Sequence, residues 1–319
     1  VKYGYYPGCS LERNAKAYHQ SAMAVAPLLG LEFVEVEDWN CCGATEVIAV
    51  DQMAAYALIA RNLALAAEQN GNGHLVAPCS ACFLNLSKAD HYMIESPELA
   101  EKVNTALAAG DLHYEPGTVK TSHLLQVITE AVGLEAIAEK VTKPLYGLRV
   151  APYYGCLIVR PGFEKKYDDY EYPTVLDDLM KTLGSEVVDF PLKAHCCGGH
   201  MTQISEPVAM ELIRRLLHNA AEYEADLIVT LCPMCQFNLD AFQDNVNKYF
   251  GTDYHIPILY FTQLMGLAFG LSPDELGIGT EFVSARPALD KILSEAPTKE
   301  KPKRPPKEAL PMPSLGGEG

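Results

Sequence analysis

Over the first 270 residues, short apolar runs alternate with longer segments of helical composition. The runs predict strands and the longer segments predict helices. In the first half, strands are expected at residues 2–6, 32–36 and 74–77, with helices at 13–29 and 51–69 between them. In the second half, strands at 148–153, 186–190 and 226–231 alternate with helices at 174–183 and 206–222. Alternation of this kind predicts a parallel sheet and therefore an α/β fold. Because the order appears twice, the expectation is two pseudo-symmetric duplicated domains, each a small, mostly parallel sheet flanked by helices. Pro144 and Gly147 punctuate the joint, which places the domains at residues 1–145 and 146–295. Residues 298–313 carry five of the prolines among lysines and an arginine, and 296–319 are expected to form an extended tail.

The cysteines repeat with the strands. The first set is Cys9, Cys41-Cys42-Gly43 and Cys79-Ser80-Ala81-Cys82. The second is Cys156, Cys196-Cys197-Gly198 and Cys232-Pro233-Met234-Cys235, and these two sets use all 10 cysteines of the chain. Every group falls just past the carboxyl end of a predicted strand, the edge at which open parallel sheets build their sites. Other residues keep the same offsets. Tyr5-Tyr6-Pro7-Gly8-Cys9 answers Tyr153-Tyr154-Gly155-Cys156, Asn85 and Asn238 lie at the same distance past Cys79 and Cys232, and Arg13 and Arg160 at the same distance past Cys9 and Cys156.

With 25 Lys+Arg against 41 Asp+Glu, the formal net charge is −16, the wrong sign for nucleic acid or an anionic membrane surface as the main partner. No apolar run approaches the length of a membrane helix, so membrane insertion is not expected. The opening residues lack a charged-then-apolar leader, and a cytoplasmic location is expected. In that reducing setting grouped cysteines bind metal or do chemistry more often than they pair. Zinc, disulfides and iron–sulfur clusters are the three readings. Five thiols per half and a Cys-Cys pair in each favour a multi-iron group over a single tetrahedral ion. The glycines beside the cysteines let backbone pass close to such a group, or simply make tight turns. No glycine-rich dinucleotide fingerprint lies cleanly between a strand and a helix, so electrons are expected to pass to or from another subunit.

Cys…Cys-Cys-Gly…Cys-x-x-Cys, twice over and with little else on the chain, resembles the cysteine-rich CCG domain and, more narrowly, the B subunit of heterodisulfide reductase. The resemblance implies two noncubane [4Fe-4S] clusters, one held by Cys9, Cys41, Cys42, Cys79 and Cys82 and the other by Cys156, Cys196, Cys197, Cys232 and Cys235. It implies reduction of the mixed disulfide of coenzyme M and coenzyme B to two thiols between them, as in methanogenesis. It also implies a flavin-containing A-type subunit and a ferredoxin-like C-type subunit as partners. Relatives that act on thiol or sulfane sulfur, or relay electrons without a substrate of their own, keep the alternative open. His195 and His200, flanking the second Cys-Cys pair, are candidates for proton delivery. Arg13, Arg160 and Lys193 are candidates for binding an anionic substrate.

Overall fold

The computed structural model describes residues 1–44, 46–71, 73–159 and 169–296. The C-terminal tail beyond residue 296 lies outside the described residues. The first half contains β1 (Lys2–Tyr5), α1 (Gly8–Glu12), α2 (Lys16–Val25), β2 (Glu32–Glu35), α3 (Val47–Val50), α4 (Gln52–Gln69), β3 (His74–Ala77), α5 (Ser80–Glu95), α6 (Pro97–Leu107), β4 (Lys120–His123), α7 (Leu124–Gln126) and α8 (Leu134–Ala138). The second contains β5 (Arg149–Tyr153), α9 (Val175–Thr182), β6 (Glu186–Val187), α10 (Met201–Ile204), α11 (Glu206–Glu222), β7 (Leu227–Thr230), α12 (Pro233–Ala241), α13 (Gln243–Phe250), β8 (Ile258–Tyr260), α14 (Phe261–Ala268) and α15 (Arg286–Leu289).

Two four-stranded parallel sheets result, in the orders β2-β1-β3-β4 and β6-β5-β7-β8. The fold class is α/β with duplicated halves. The central strands β3 and β7 are almost wholly buried, as apolar runs covered on both faces should be. The helix α4 starts where Asp51 accepts a hydrogen bond from the Ala54 N–H at 3.0 Å, an N-cap that satisfies one of its free donors. In each sheet the chain runs from the first strand outward to the second, then crosses back to the other side for the third. The reversal opens a crevice at the carboxyl ends of β1 and β3, and of β5 and β7.

Besides helices outside the expected segments, α5, α6 and α12 to α14 among them, the structure differs from the sequence expectation in three places. A fourth strand closes each sheet; β4 is the mixed tetrapeptide Lys-Thr-Ser-His and β8 has three residues, too short to show a period. The helix expected at 13–29 breaks at Arg13, whose backbone is non-helical, so Cys9 sits in α1 and α2 starts at Lys16. The strand expected at 186–190 pairs only through Glu186–Val187.

The halves interlock. α14, which follows the last strand of the second half, packs on α2 of the first, and α8 of the first half packs on α9 of the second. The two exits share one bond: the His123 N–H donates to Gln126 Oε1 and the Tyr260 N–H to Gln263 Oε1, each at 2.8 Å, and His123 also caps α7 by accepting from the Leu125 N–H. Ser21 and Thr262 hydroxyls meet at 2.6 Å across the joint, and one continuous core runs through both halves.

Candidate metal centre

The strand ends bring all ten cysteines together as free thiols. Cys41 Sγ lies 3.7 Å from Cys9 Sγ, and Cys42 Sγ lies 3.4 Å from Cys82 Sγ. Cys41 and Cys42 are hydrogen-bonding neighbours, as are Cys82 and Cys79. In the second half the neighbours are Cys156 with Cys196, Cys196 with Cys197, Cys197 with Cys235 and Cys235 with Cys232. Cys79 and Cys232 then join the two sets across the interlock. The sulfurs thus run in one string, 9-41-42-82-79 followed by 232-235-197-196-156, and the second set retraces the first in reverse. Among the described residues, no three His, Cys, Asp or Glu side chains close on a point that could hold a metal ion.

The string's ends are open and its middle is not. Cys9 and Cys41 are exposed and Cys156 and Cys196 partly so, whereas the other six thiols are buried. Neighbouring sulfurs, and then burial, push the thiols of Cys82 and Cys235 well up. Cys197 is pushed up to about 12 by the hydrogen bond with Cys196, and Cys42 to about 11 by the one with Cys41. So many sulfurs this close cannot all ionise on their own. A cationic group among them would reverse that balance and release the protons.

Each Cys-Cys loop is gripped from two sides. Tyr6, at the end of β1, donates its hydroxyl to the Asn40 carbonyl at 2.7 Å; Tyr153, at the end of β5, donates to the His195 carbonyl at 2.7 Å. From the far side, Asn85 on α5 donates to the carbonyls of Cys42 and Ala44, and Asn238 on α12 donates to those of Cys197 and Gly199. The Gly43 and Gly198 N–H groups donate to Cys41 Sγ and Cys196 Sγ at 3.4 and 3.3 Å. Gly8 and Gly155 have φ of +72° and +69°, and a Cβ there would lie 2.9 Å from Cys82 Sγ and 2.8 Å from Cys235 Sγ. Only glycine fits a turn of that hand against a sulfur.

The other expected site residues separate. His195 is exposed beside Cys196. His200 pairs with Glu46, so the loop after the second Cys-Cys is tied to the loop after the first. Arg13 is exposed in an open groove of about 560 Å³ next to α1, together with Lys16 and His19. Lys193 is 1% exposed, and its ammonium donates to Asp177 at 2.6 Å and to the Pro173 carbonyl at 2.8 Å beneath the Tyr172 ring, so it faces a carboxylate rather than an open site. Burial pushes the Asp177 carboxyl up, against the pull of Lys193 and Tyr154. Arg160 lies outside the described residues.

Sequence reasoning missed the residues at the joint. Tyr18 stacks on Tyr260 with centroids 4.3 Å apart, and its hydroxyl lies 3.3 Å from both the Pro78 and the Leu231 carbonyls, which precede Cys79 and Cys232. His123 is fully buried there. The Leu125 N–H donates to its Nδ1 at 3.1 Å, which leaves the proton of the neutral ring on Nε2, and burial pushes its pKa down to about 4.

The twofold cysteine pattern matches the CCG cysteine-rich domain over residues 3–87 and 150–240. The chain belongs to the CCG cysteine-rich domain family. Both matched stretches end on the α5 and α12 helices that carry Cys82 and Cys235. Among CCG relatives, the 8-methylmenaquinol:fumarate reductase membrane anchor subunit of Wolinella succinogenes is 36% identical over 89% of this chain and 98% of its own length. The B subunit of the ferredoxin/F(420)H(2)-dependent CoB-CoM heterodisulfide reductase of Methanosarcina acetivorans is 31% identical over 92% of this chain and 97% of its own. A protein of Archaeoglobus profundus that is similar to the heterodisulfide reductase B subunit is 32% identical over 86% and 93%. Among solved structures, a hypothetical protein from Helicobacter pylori superposes with a TM-score of 0.70 at 16% identity, covering 89% of this chain and 52% of that one, a likeness of fold alone. No helix among the described residues is long and apolar enough to cross a membrane.

Proposed function

We propose that this chain is the catalytic iron–sulfur subunit of a heterodisulfide reductase-like complex. Each half holds one noncubane [4Fe-4S] cluster through its five cysteines, and a small disulfide of the coenzyme M–S–S–coenzyme B type is reduced to two thiols beside them. The observation that carries this reading is the string of ten sulfurs in two mirrored sets of five. The residues present fit the group. The donor set is all thiol, the usual one for iron–sulfur clusters, and Gly8 and Gly155 leave space where a side chain would strike a cysteine sulfur. When bound, the clusters supply electrons one at a time and Lewis-acidic iron next to a sulfur substrate.

The protein's own residues do the rest. Tyr6, Asn85, Tyr153 and Asn238 hold the backbone of the two Cys-Cys loops in place. The overall change, R–S–S–R′ plus two electrons and two protons to RSH and R′SH, needs a proton source. The proposed proton donors are His195, exposed next to Cys196, and His200, which pairs with Glu46 beside the same loop. Arg13 and Arg160 are the cations proposed for an anionic substrate. Lys193 contributes by holding Asp177 and accepting the Gly155 N–H on its carbonyl at 3.1 Å. Electrons are supplied by flavin-bearing A-type and ferredoxin-like C-type subunits of the same complex.

Anaerobically purified protein is expected to hold about eight irons with matching sulfide, the complement of two four-iron clusters, and to give EPR signals on reduction. Zinc in place of iron, or cysteines bonded to one another in native protein, defeats the proposal. A second reading has support from the fumarate reductase relative: the same centres relay electrons and bind no disulfide. Adding the disulfide then leaves the EPR signals unchanged, whereas a substrate site alters them.

A further inference from the structure

The two asparagines that grip the Cys-Cys loops are not equivalent. Asn85 Nδ2 reaches the Cys42 and Ala44 carbonyls at 3.1 and 2.6 Å. Asn238 Nδ2 reaches the Cys197 and Gly199 carbonyls at 3.2 and 2.7 Å and also lies 3.8 Å from Cys197 Sγ, within hydrogen-bonding range for sulfur. Asn238 is 1% exposed and its sulfur partner 4%, whereas Asn85 is only half-buried. We propose that Asn238 sets the reduction potential of the second-half centre by donating to the Cys197 thiolate, while Asn85 serves its loop as a backbone clamp alone. The inference rests on the iron–sulfur reading above.

The physical ground is the charge on the sulfur. Adding one electron to a centre increases the negative charge carried by its thiolates. A donor aimed at one of them therefore stabilises the reduced form more than the oxidised form and raises the potential. Out of water the effect is stronger, because no solvent competes for the sulfur. Solvent at Cys9 and Cys41 acts on the first centre in the same sense. The gap between the two centres mixes both contributions, and substitution isolates one of them.

The asparagine pair supplies its own control. Asn238→Ala and Asn85→Ala each remove two contacts to loop carbonyls, but only the first removes a contact to sulfur. Full-length protein is loaded and titrated anaerobically with dithionite as the electron donor. The midpoint of each centre is followed by EPR, with iron and sulfide measured alongside. The expected result is a lowered midpoint for one centre in Asn238→Ala and unshifted midpoints in Asn85→Ala. No shift in Asn238→Ala, or equal shifts in both variants, overturns the inference. If a variant does not hold iron, wild-type protein labelled with [15N]asparagine is examined by pulsed EPR. A nitrogen coupling at one centre is expected, and its absence from both overturns the inference. Wild-type protein without iron and sulfide defeats the functional reading itself, whereas loaded wild-type protein with an unshifted Asn238→Ala defeats only this step.

Discussion

Gly155 and Lys193 show how single residues act on their immediate surroundings. A methyl group at Gly155 would stand 2.8 Å from Cys235 Sγ at a φ that disfavours any Cβ. On the proposal of one four-iron group per half, Gly155→Ala is expected to lose roughly half the iron, with the first centre's EPR signal intact. Equal loss of both signals would refute the local assignment. Lys193→Met leaves Asp177 buried without its cation, a change that costs about 3–5 kcal/mol when a buried pair is broken. The cost depends on pH. Burial already raises the Asp177 carboxyl, so between its unfolded and folded values the native state holds the extra proton and stability falls as pH rises. Without Lys193 the carboxyl rises further. The destabilisation, read by urea titration, is therefore expected to be largest at neutral pH and to shrink under acid conditions. At this scale repetition was the readable signal: the cysteines, Tyr6 with Tyr153, and Asn85 with Asn238 stand at matching places. Lys193, in a turn, carries no such mark, because a lysine's burial depends on whether a carboxylate such as Asp177 arrives from a separate element.

Elements explain why the Cys-x-x-Cys groups work. Cys79 and Cys232 are the N-cap residues of α5 and α12, and Cys82 and Cys235 lie in the first turn, where the helix dipole opposes only part of the upward push that neighbouring sulfurs and burial give the Cys82 and Cys235 thiols. The strand-to-helix turn was visible as a strand followed by cysteines, but the helices themselves were not foreseen, because their apolar positions face both a sheet and a neighbouring helix. Tyr18 on α2 ties the two turns together through the Pro78 and Leu231 carbonyls. Tyr18→Phe keeps the stack on Tyr260 and removes only the hydroxyl, at an expected cost of about 1 kcal/mol. Tyr18→Ala also opens a cavity in the joint and is expected to cost about 3–5 kcal/mol. Similar losses for the two variants, measured by denaturant unfolding of loaded protein, would place the main contribution in the hydroxyl.

At the scale of the molecule, the halves are similar in build yet depend on each other. α14 covers α2, whose Tyr18, Ala22 and Val25 are buried, and α8 covers α9. With the boundary proposed at residue 145, a fragment of residues 1–145 would expose that face and lose α14. It is expected to lack a cooperative unfolding transition, whereas the intact chain unfolds as one unit; a monomeric fragment that melts sharply would contradict the interlock. The chain's letters alone establish a duplicated α/β scaffold and two sets of five thiols at strand ends, since strand–helix order and residue spacing are local properties written along the chain. Packing settles that the two sets meet at Cys79 and Cys232, that Lys193 is buried against Asp177 and that helices cross between halves. Those contacts join residues far apart in sequence, such as Tyr18 and Leu231, and nothing periodic connects them until the core forms.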